Sequence, residues 1–169
     1  VIRDPQHTES QNDEAAGLGL LGMETVFASE KLTSQVVAQC QELHFMGQSI
    51  SADNLQGYEI HMGHTDFTRE ADKHPFTVCQ RRGKACASQE GTANAAGNVF
   101  GTYIHGVFDN DVFRRSVLNA IRHSKGLEAL ANTRNVMAEK QHAYEHLADV
   151  VENALDMEKL YQIMGEKTC

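Results

Sequence analysis

The chain has 169 residues, 41% of them hydrophobic, which is enough for one domain with a substantial core. Its 15 Lys and Arg residues are outnumbered by 23 Asp and Glu residues, so the formal net charge is −8. This charge disfavours nucleic acids and anionic membrane surfaces as partners. No apolar stretch approaches the ~20 residues that span a bilayer, and the first residues lack a secretory pattern. We therefore expect a cytoplasmic protein that binds no nucleic acid and no membrane.

The four cysteines do not have the spacing of a metal site. Cys79 and Cys86 are seven residues apart, and Cys40 and Cys169 stand alone. Free or buried thiols are the simplest interpretation, because unpaired cysteines are commonly buried.

The first half of the chain is dominated by predicted strands. Residues 1–16, VIRDPQHTESQNDEAA, are polar and acidic, and we interpret them as a connecting segment. LLGMETVF (20–27) and TSQVVAQCQELHFMG (33–47) contain β-branched and apolar residues in partial alternation, which predicts a hairpin with ASEK (28–31) as its turn. Further strands are predicted at Leu55–Met62, Phe76–Gln80 and Val99–Ile104, with turns rich in Gly and Asn between them.

The hydrophobic period changes after His105. Asp109 or Asn110 can begin a helix whose apolar residues recur every three to four positions, and Gly126 ends it. A longer helix is predicted over residues 136–164, with apolar side chains along one face. Strands in residues 18–105 followed by C-terminal helices indicate an α/β or α+β domain in which the helices cover the sheet.

A histidine follows the predicted strand in GTYIHGVFDN (101–110). Gly106 allows the backbone to turn directly after His105, and such turns are where α/β folds place reactive side chains. A histidine at this place can take a proton from a nucleophile and return it to a leaving amine. A packed histidine bonded to the backbone is the alternative interpretation.

Two acid–base residues lie close together in GYEIHMGHT (57–65). Glu59 and His61 are two residues apart, so both point to one face of the predicted strand, opposite Tyr58. A solvent-facing polar edge is the simpler interpretation. A metal site of Glu59, His61 and His64 is the alternative, although this spacing is not specific for one.

The string HAYEH (142–146) matches the H-x-x-E-H motif of inverted zincins. On a helix, His142 and His146 share one face, with Glu145 available as a general base. A zinc hydrolase would need a third ligand, and nine histidines in the chain make such a short match unsurprising. A solvated helix face is the favoured interpretation, and we expect no metal.

Four segments together resemble the C-terminal glutamine amidotransferase domain of the cobyric acid synthase family, whose relatives include cobyrinic acid diamide synthase. They are GLGLLGMETVF (17–27), GYEIHMGHT (57–65), GNVFGTYIHGVFDNDVFRRSVLN (97–119) and YEHLADVVENALDMEKL (144–160). The resemblance implies a partial flavodoxin-like, class I amidotransferase domain in residues 17–169. The nucleophile elbow and the N-terminal ATP-binding domain would then lie outside the chain.

The resemblance also implies a reaction. In the family a cysteine thiolate attacks the carboxamide of glutamine, and a histidine, matched here by His105, acts as its base and then protonates the departing ammonia. The ammonia serves an ATP- and Mg-dependent amidation of adenosylcobyrinic acid a,c-diamide to cobyric acid, in cobalamin biosynthesis. No G-x-C-G-G-x-Q elbow occurs in the sequence, so we expect the isolated chain to be inactive. We also expect it to bind no cofactor and to meet the corrinoid only through the ATP-binding domain.

The chain departs from triad amidotransferases at Val107, where those enzymes have a glutamate two residues after the histidine. The resemblance therefore implies a Cys–His dyad. Glu59 is our candidate for the missing carboxylate, with His61 and Tyr103 as supporting residues near the active site. A homodimer through an open sheet edge is a further expectation, and a non-catalytic domain that binds a partner is the alternative function.

Overall fold

The computed structural model describes residues 1–165. They form two units, of which the first ends at Asn132 and the second begins at Thr133. The strands of the first unit are β1 (Ile2–Arg3), β2 (Glu14–Ala15), β3 (Met23–Phe45), β4 (Gln48–Phe67), β5 (Phe76–Arg81), β6 (Lys84–Glu90), β7 (Thr92–Ala93), β8 (Phe100–Gly101) and β9 (Ile104–His105). A short 3-10 helix (Val107–Asp109) and helix α1 (Asp111–Ser124) follow. The second unit contains α2 (Val136–Ala154) and α3 (Met157–Met164). No helix within residues 1–165 has the length and hydropathy needed to cross a membrane.

The long hairpin of β3 and β4 is the centre of the sheet. It turns at Met46 and Gly47, which both have positive φ (49° and 75°). The predicted hairpin at residues 28–31 is therefore wrong, because β3 continues through this segment as one strand of 23 residues. The pairing with β4 is irregular there, between Val26 and Lys31, so the segment forms a bulge and not a reversal.

The main sheet has the order β2-β1-β3-β4-β9, and β5 pairs with β3 and with β6. Strand β1 is parallel to β3, while the pairs β3–β4, β3–β5, β4–β9 and β5–β6 are antiparallel. A mixed sheet with helices confirms the predicted α/β class. Residues 1–16, interpreted as a connecting segment, contribute β1 and β2 to this sheet.

The core lies between one face of the sheet and α1. Phe113 and Val117 of α1 are buried, as the predicted periodicity requires, and Ala120 is buried with them, whereas Val112 and Leu118 are exposed. The three buried residues join a single cluster with sheet residues that include Phe76 and Ile104, and the rings of Phe76 and Phe113 are 5.7 Å apart. Helix α1 therefore covers the sheet face that carries Ile104.

The structure corrects one predicted helix and adds one strand to those predicted. The helix predicted over residues 136–164 is interrupted, because Leu155 is extended and the Asp156 side chain accepts a hydrogen bond from the Lys159 amide to begin α3. Strand β6 was not predicted, because its sequence KACASQE lacks β-branched residues and its strand conformation comes from pairing with β5.

The N-terminal loop is organised by the buried carboxylate of Asp4. It accepts hydrogen bonds from the amides of Thr8, Glu9 and Ser10, each at 2.8 Å, and from the Thr8 hydroxyl at 2.9 Å. Burial acts to raise the pKa of Asp4, but these hydrogen bonds outweigh it and lower the pKa to about 2.

Asp4 should therefore give the chain acid-sensitive stability. A depressed folded-state pKa adds stability above the unfolded value of 3.8, and this contribution is lost as the pH falls through about 2. Asp4→Asn should lower the urea midpoint at pH 5, and its difference from the wild type should shrink toward pH 2. Asp53→Asn, at an exposed position of β4, is the control. A difference that stayed constant between pH 5 and pH 2 would contradict the assignment.

Candidate functional site

His105 ends strand β9 and lies directly opposite Tyr58 of β4, while Ile104 lies opposite Glu59. Opposed residues of an antiparallel pair share a face of the sheet. Ile104 and Glu59, which are 2% and 1% exposed, lie on the buried face of the sheet, whereas His105 and Tyr58 are exposed on the other face. The structure thus places His105 at a strand end, on the face of β4 and β9 that α1 does not cover.

The turn after His105 depends on Gly106, whose φ of 76° is in the left-handed region that favours glycine. The chain then enters the 3-10 helix, and Val107 is buried in the core cluster. The position that holds a glutamate in triad amidotransferases is therefore used here for packing.

Asn110 ties this turn to β4. Its side-chain amide donates to the carbonyls of Gln56, Gly106 and Val107, and its oxygen accepts from the Gln56 amide at 2.9 Å. Sequence reasoning expected Asp109 or Asn110 to cap α1. Asn110 does precede the helix, but its side chain makes no hydrogen bond to the first turn of α1.

Gly57 allows β9 to approach β4 closely. A Cβ atom at this position would lie 2.5 Å from the backbone oxygen of His105 and 2.6 Å from Cγ2 of Ile104. Since neither atom belongs to a flexible side-chain end, no other residue type fits without moving the strand that carries His105.

Glu90 holds the segment that leads into β9. Its buried carboxylate accepts hydrogen bonds from the Thr102 hydroxyl and from the Tyr103 amide, and the Thr102 oxygen accepts one from the Ile104 amide. Burial raises the pKa of Glu90, and the hydrogen bonds act in the opposite direction. Sequence reasoning missed Glu90, because nothing in SQEG distinguishes it from a solvated turn residue.

Glu59 does not lie on a solvent-facing edge, which was the simpler interpretation of the alternating sequence GYEIHMGHT. It is buried, and Arg81 of β5 donates two hydrogen bonds to its carboxylate, at 2.8 and 3.1 Å. These hydrogen bonds raise the pKa of Arg81. Because Glu59 lies on the core face and binds Arg81, the structure does not bring it to the ring of His105.

The other two predicted supporting residues meet each other. The ring of His61 stacks on that of Tyr103 at 5.0 Å, and the Tyr103 hydroxyl is 2.8 Å from the hydroxyl of Thr65 and 3.1 Å from that of Thr25. Glu59, His61 and Tyr103 line a cavity of about 390 Å³, whose lining does not include His105. The predicted site residues are therefore divided between this cavity and the exposed end of β9.

The cysteines whose positions are described lie away from His105. Cys40 is opposite Ala52, six positions along β4 from Tyr58, which corresponds to about 20 Å. Burial raises the pKa of the Cys40 thiol to about 11. Cys79 is on β5, three strand spacings or roughly 14 Å from β9, and Cys86 is one strand further. Cys169 lies outside the described residues.

The zinc-type string lies on α2. His142 and His146 are exposed there, and Glu145 accepts a hydrogen bond from Gln141. Within residues 1–165, no three His, Cys, Asp or Glu side chains come together as ligands for a metal ion.

Known proteins resemble the chain over nearly all of its length. It is 41% identical over 165 residues to a cobyric acid synthase of Caldanaerobacter subterraneus, covering 97% of the chain and 32% of the relative. It is 38% identical over 174 residues to one of Clostridium botulinum and 41% identical over 168 residues to one of Dehalococcoides mccartyi; each of these two alignments covers 98% of the chain and 32% of the relative. The chain thus spans about a third of the length of these relatives, and no solved structure matches it.

A family model, the CobB/CobQ-like glutamine amidotransferase domain, matches residues 1–113, which include β1, β2 and the segment with His105. This match begins at the first residue, upstream of the boundary expected at residue 17. Because it covers more than half of the chain, and because the relatives agree with it, the chain belongs to the family of CobB/CobQ-like glutamine amidotransferase domains.

Proposed function

We propose that this chain is the C-terminal part of the glutamine amidotransferase domain of a cobyric acid synthase, with His105 as its catalytic base. The observation that carries the proposal is the presentation of His105. Gly57, Gly106 and Asn110 hold an exposed imidazole at a strand end, and among the described residues no hydrogen bond occupies either ring nitrogen. A proton carrier in hydrolysis needs such accessible nitrogens.

The reaction requires a cysteine from outside this chain. His105 would accept the thiol proton as the sulfur bonds to the glutamine carboxamide carbon, and would return a proton to the departing ammonia. Water would then cleave the thioester, releasing glutamate and regenerating the thiol. The ammonia would leave for the amidation of a corrinoid carboxylate.

ATP and Mg would act in a domain beyond this chain. The sequence has no glycine-rich phosphate loop of the form G-x-x-x-x-G-K-[ST], and its net charge is −8. We therefore assign no residue of this chain to the nucleotide, and propose that the corrinoid is reached through the ATP-binding domain. We place the enzyme in the cytoplasm. The open edge of β6 is available to pair with a strand from another part of the same enzyme or from a second copy.

Substitution of His105 tests the proposal in the full-length enzyme. His105→Ala should lower glutamine-dependent amidation by about 10²- to 10⁴-fold, the usual contribution of an acid–base group. Amidation driven by added ammonia should be retained, because it bypasses the glutaminase step. His142→Ala, an exposed histidine of α2, is the matched control and should leave both activities unchanged. Glutamine-dependent activity of His105→Ala within threefold of the wild type would instead favour a non-catalytic binding domain.

A further inference from the structure

We propose that Tyr58 is a positioning residue that sets the plane of the His105 imidazole, the task that a carboxylate performs in triad enzymes. The inference rests on the proposed function of His105. It concerns a residue that the sequence placed only on the face opposite Glu59.

The geometry of the pair is that of a stack. The ring centroids of Tyr58 and His105 are 4.9 Å apart, and the ring planes differ by only 10°. The two residues are directly opposed across β4 and β9, where Cβ atoms of an antiparallel pair are about 4.5–5.5 Å apart. The strand register therefore holds the two rings face to face.

Among the described residues, no hydrogen bond orients the imidazole of His105. No side chain donates a hydrogen bond to the His105 ring or accepts one from it. Val107 is buried in the core, and Glu59 binds Arg81 on the opposite face. The second torsion of a histidine side chain is broad, so an unsupported ring would sample many orientations. Contact with the Tyr58 face restricts this torsion and leaves both nitrogens at the open ring edge.

The side chain of Tyr58 acts on the ring of His105 and not on the backbone of β9. The backbone of β9 is held by Gly57, by Asn110 and by the hydrogen bonds of Glu90. Tyr58 itself is 43% exposed and contributes nothing to the core cluster. Its substitution should therefore change ring orientation while leaving the fold intact.

The first experiment compares three variants of the full-length enzyme. Tyr58→Leu removes the aromatic face and should lower kcat for glutamine hydrolysis by about 10- to 100-fold, the scale for a misplaced reacting group. Tyr58→Phe keeps the face and should restore kcat to within twofold of the wild type. Tyr144→Leu makes the same change at an exposed tyrosine of α2 and should have no effect.

The second experiment detects the stack in the 169-residue chain without any activity. In proton–carbon NMR spectra, the His105 ring protons should be shifted upfield by the Tyr58 ring current. The shift should persist in Tyr58→Phe and disappear in Tyr58→Leu, while the methyl resonances of the core stay unchanged.

The outcomes separate the two proposals. Full glutaminase activity in Tyr58→Leu, with His105→Ala inactive, would overturn the role of Tyr58 and leave the proposed function intact. Identical His105 ring resonances in Tyr58→Leu and wild type would overturn the stack itself. Full activity in His105→Ala would overturn the proposed function, and the positioning role with it.

Discussion

Gly57→Ala should detach the strand that carries His105 from the sheet. The added Cβ would lie 2.5 Å from the His105 carbonyl oxygen, and backbone atoms at that distance must separate. Overpacking of this kind costs about 1–3 kcal/mol, and we expect the upper part of the range because both clashing atoms belong to the paired strand. The urea midpoint should fall, and the backbone amide resonances of Ile104 and His105 should move.

Gly17→Ala is the matched control, since the nearest atom to its Cβ would be the Val1 nitrogen at 4.0 Å and its φ is not positive. In the full-length enzyme, Gly57→Ala should also reduce glutamine hydrolysis, while ammonia-driven amidation continues. Equal midpoints and unchanged Ile104 and His105 resonances in the two variants would show that β9 tolerates the extra atom, contrary to our expectation.

Arg81→Met should be among the most destabilising single substitutions in the chain. It leaves the Glu59 carboxylate, 1% exposed, without its bidentate partner. Removing one member of a buried ion pair costs about 3–5 kcal/mol, because an uncompensated charge stays in the core. Because the Arg81 side chain is 33% exposed, water can partly solvate the Glu59 carboxylate once Arg81 is removed. We therefore expect the free energy of unfolding, measured in urea, to fall by the lower end of this range, about 3 kcal/mol.

Two further variants distinguish a buried charge from a simple loss of packing. Glu59→Leu combined with Arg81→Met removes both charges and should recover most of the lost stability. Arg3→Met breaks the pair with Glu14, whose side chains are 51% and 55% exposed, and should cost no more than about 1 kcal/mol. A double variant as unstable as Arg81→Met would mean that the carboxylate is not the cause.

Parts of the fold were predictable because they depend on local patterns. The helix after Asn110 follows from apolar residues at three-to-four spacing, and Gly126 follows its end as expected. The strands predicted at Leu55–Met62 and Phe76–Gln80 lie within β4 and β5. The long helix was predicted without its interruption, because the apolar periodicity continues on both sides of Asp156. The hydrogen bond by which the Asp156 side chain caps α3 cannot be inferred from that periodicity.

The sequence by itself determined the family, the α/β class and the place of His105 at the end of a short strand. These properties reside in contiguous motifs, such as GTYIHGVFD, whose residue types dictate local conformation. Only the tertiary structure decided which side chains lie next to one another. Strand register placed Tyr58 opposite His105 and turned Glu59 toward Arg81, and a bulge replaced the expected turn in β3. Register is set by pairing between distant segments, and a shift of one residue exchanges the two faces of a strand, so no single segment could specify it.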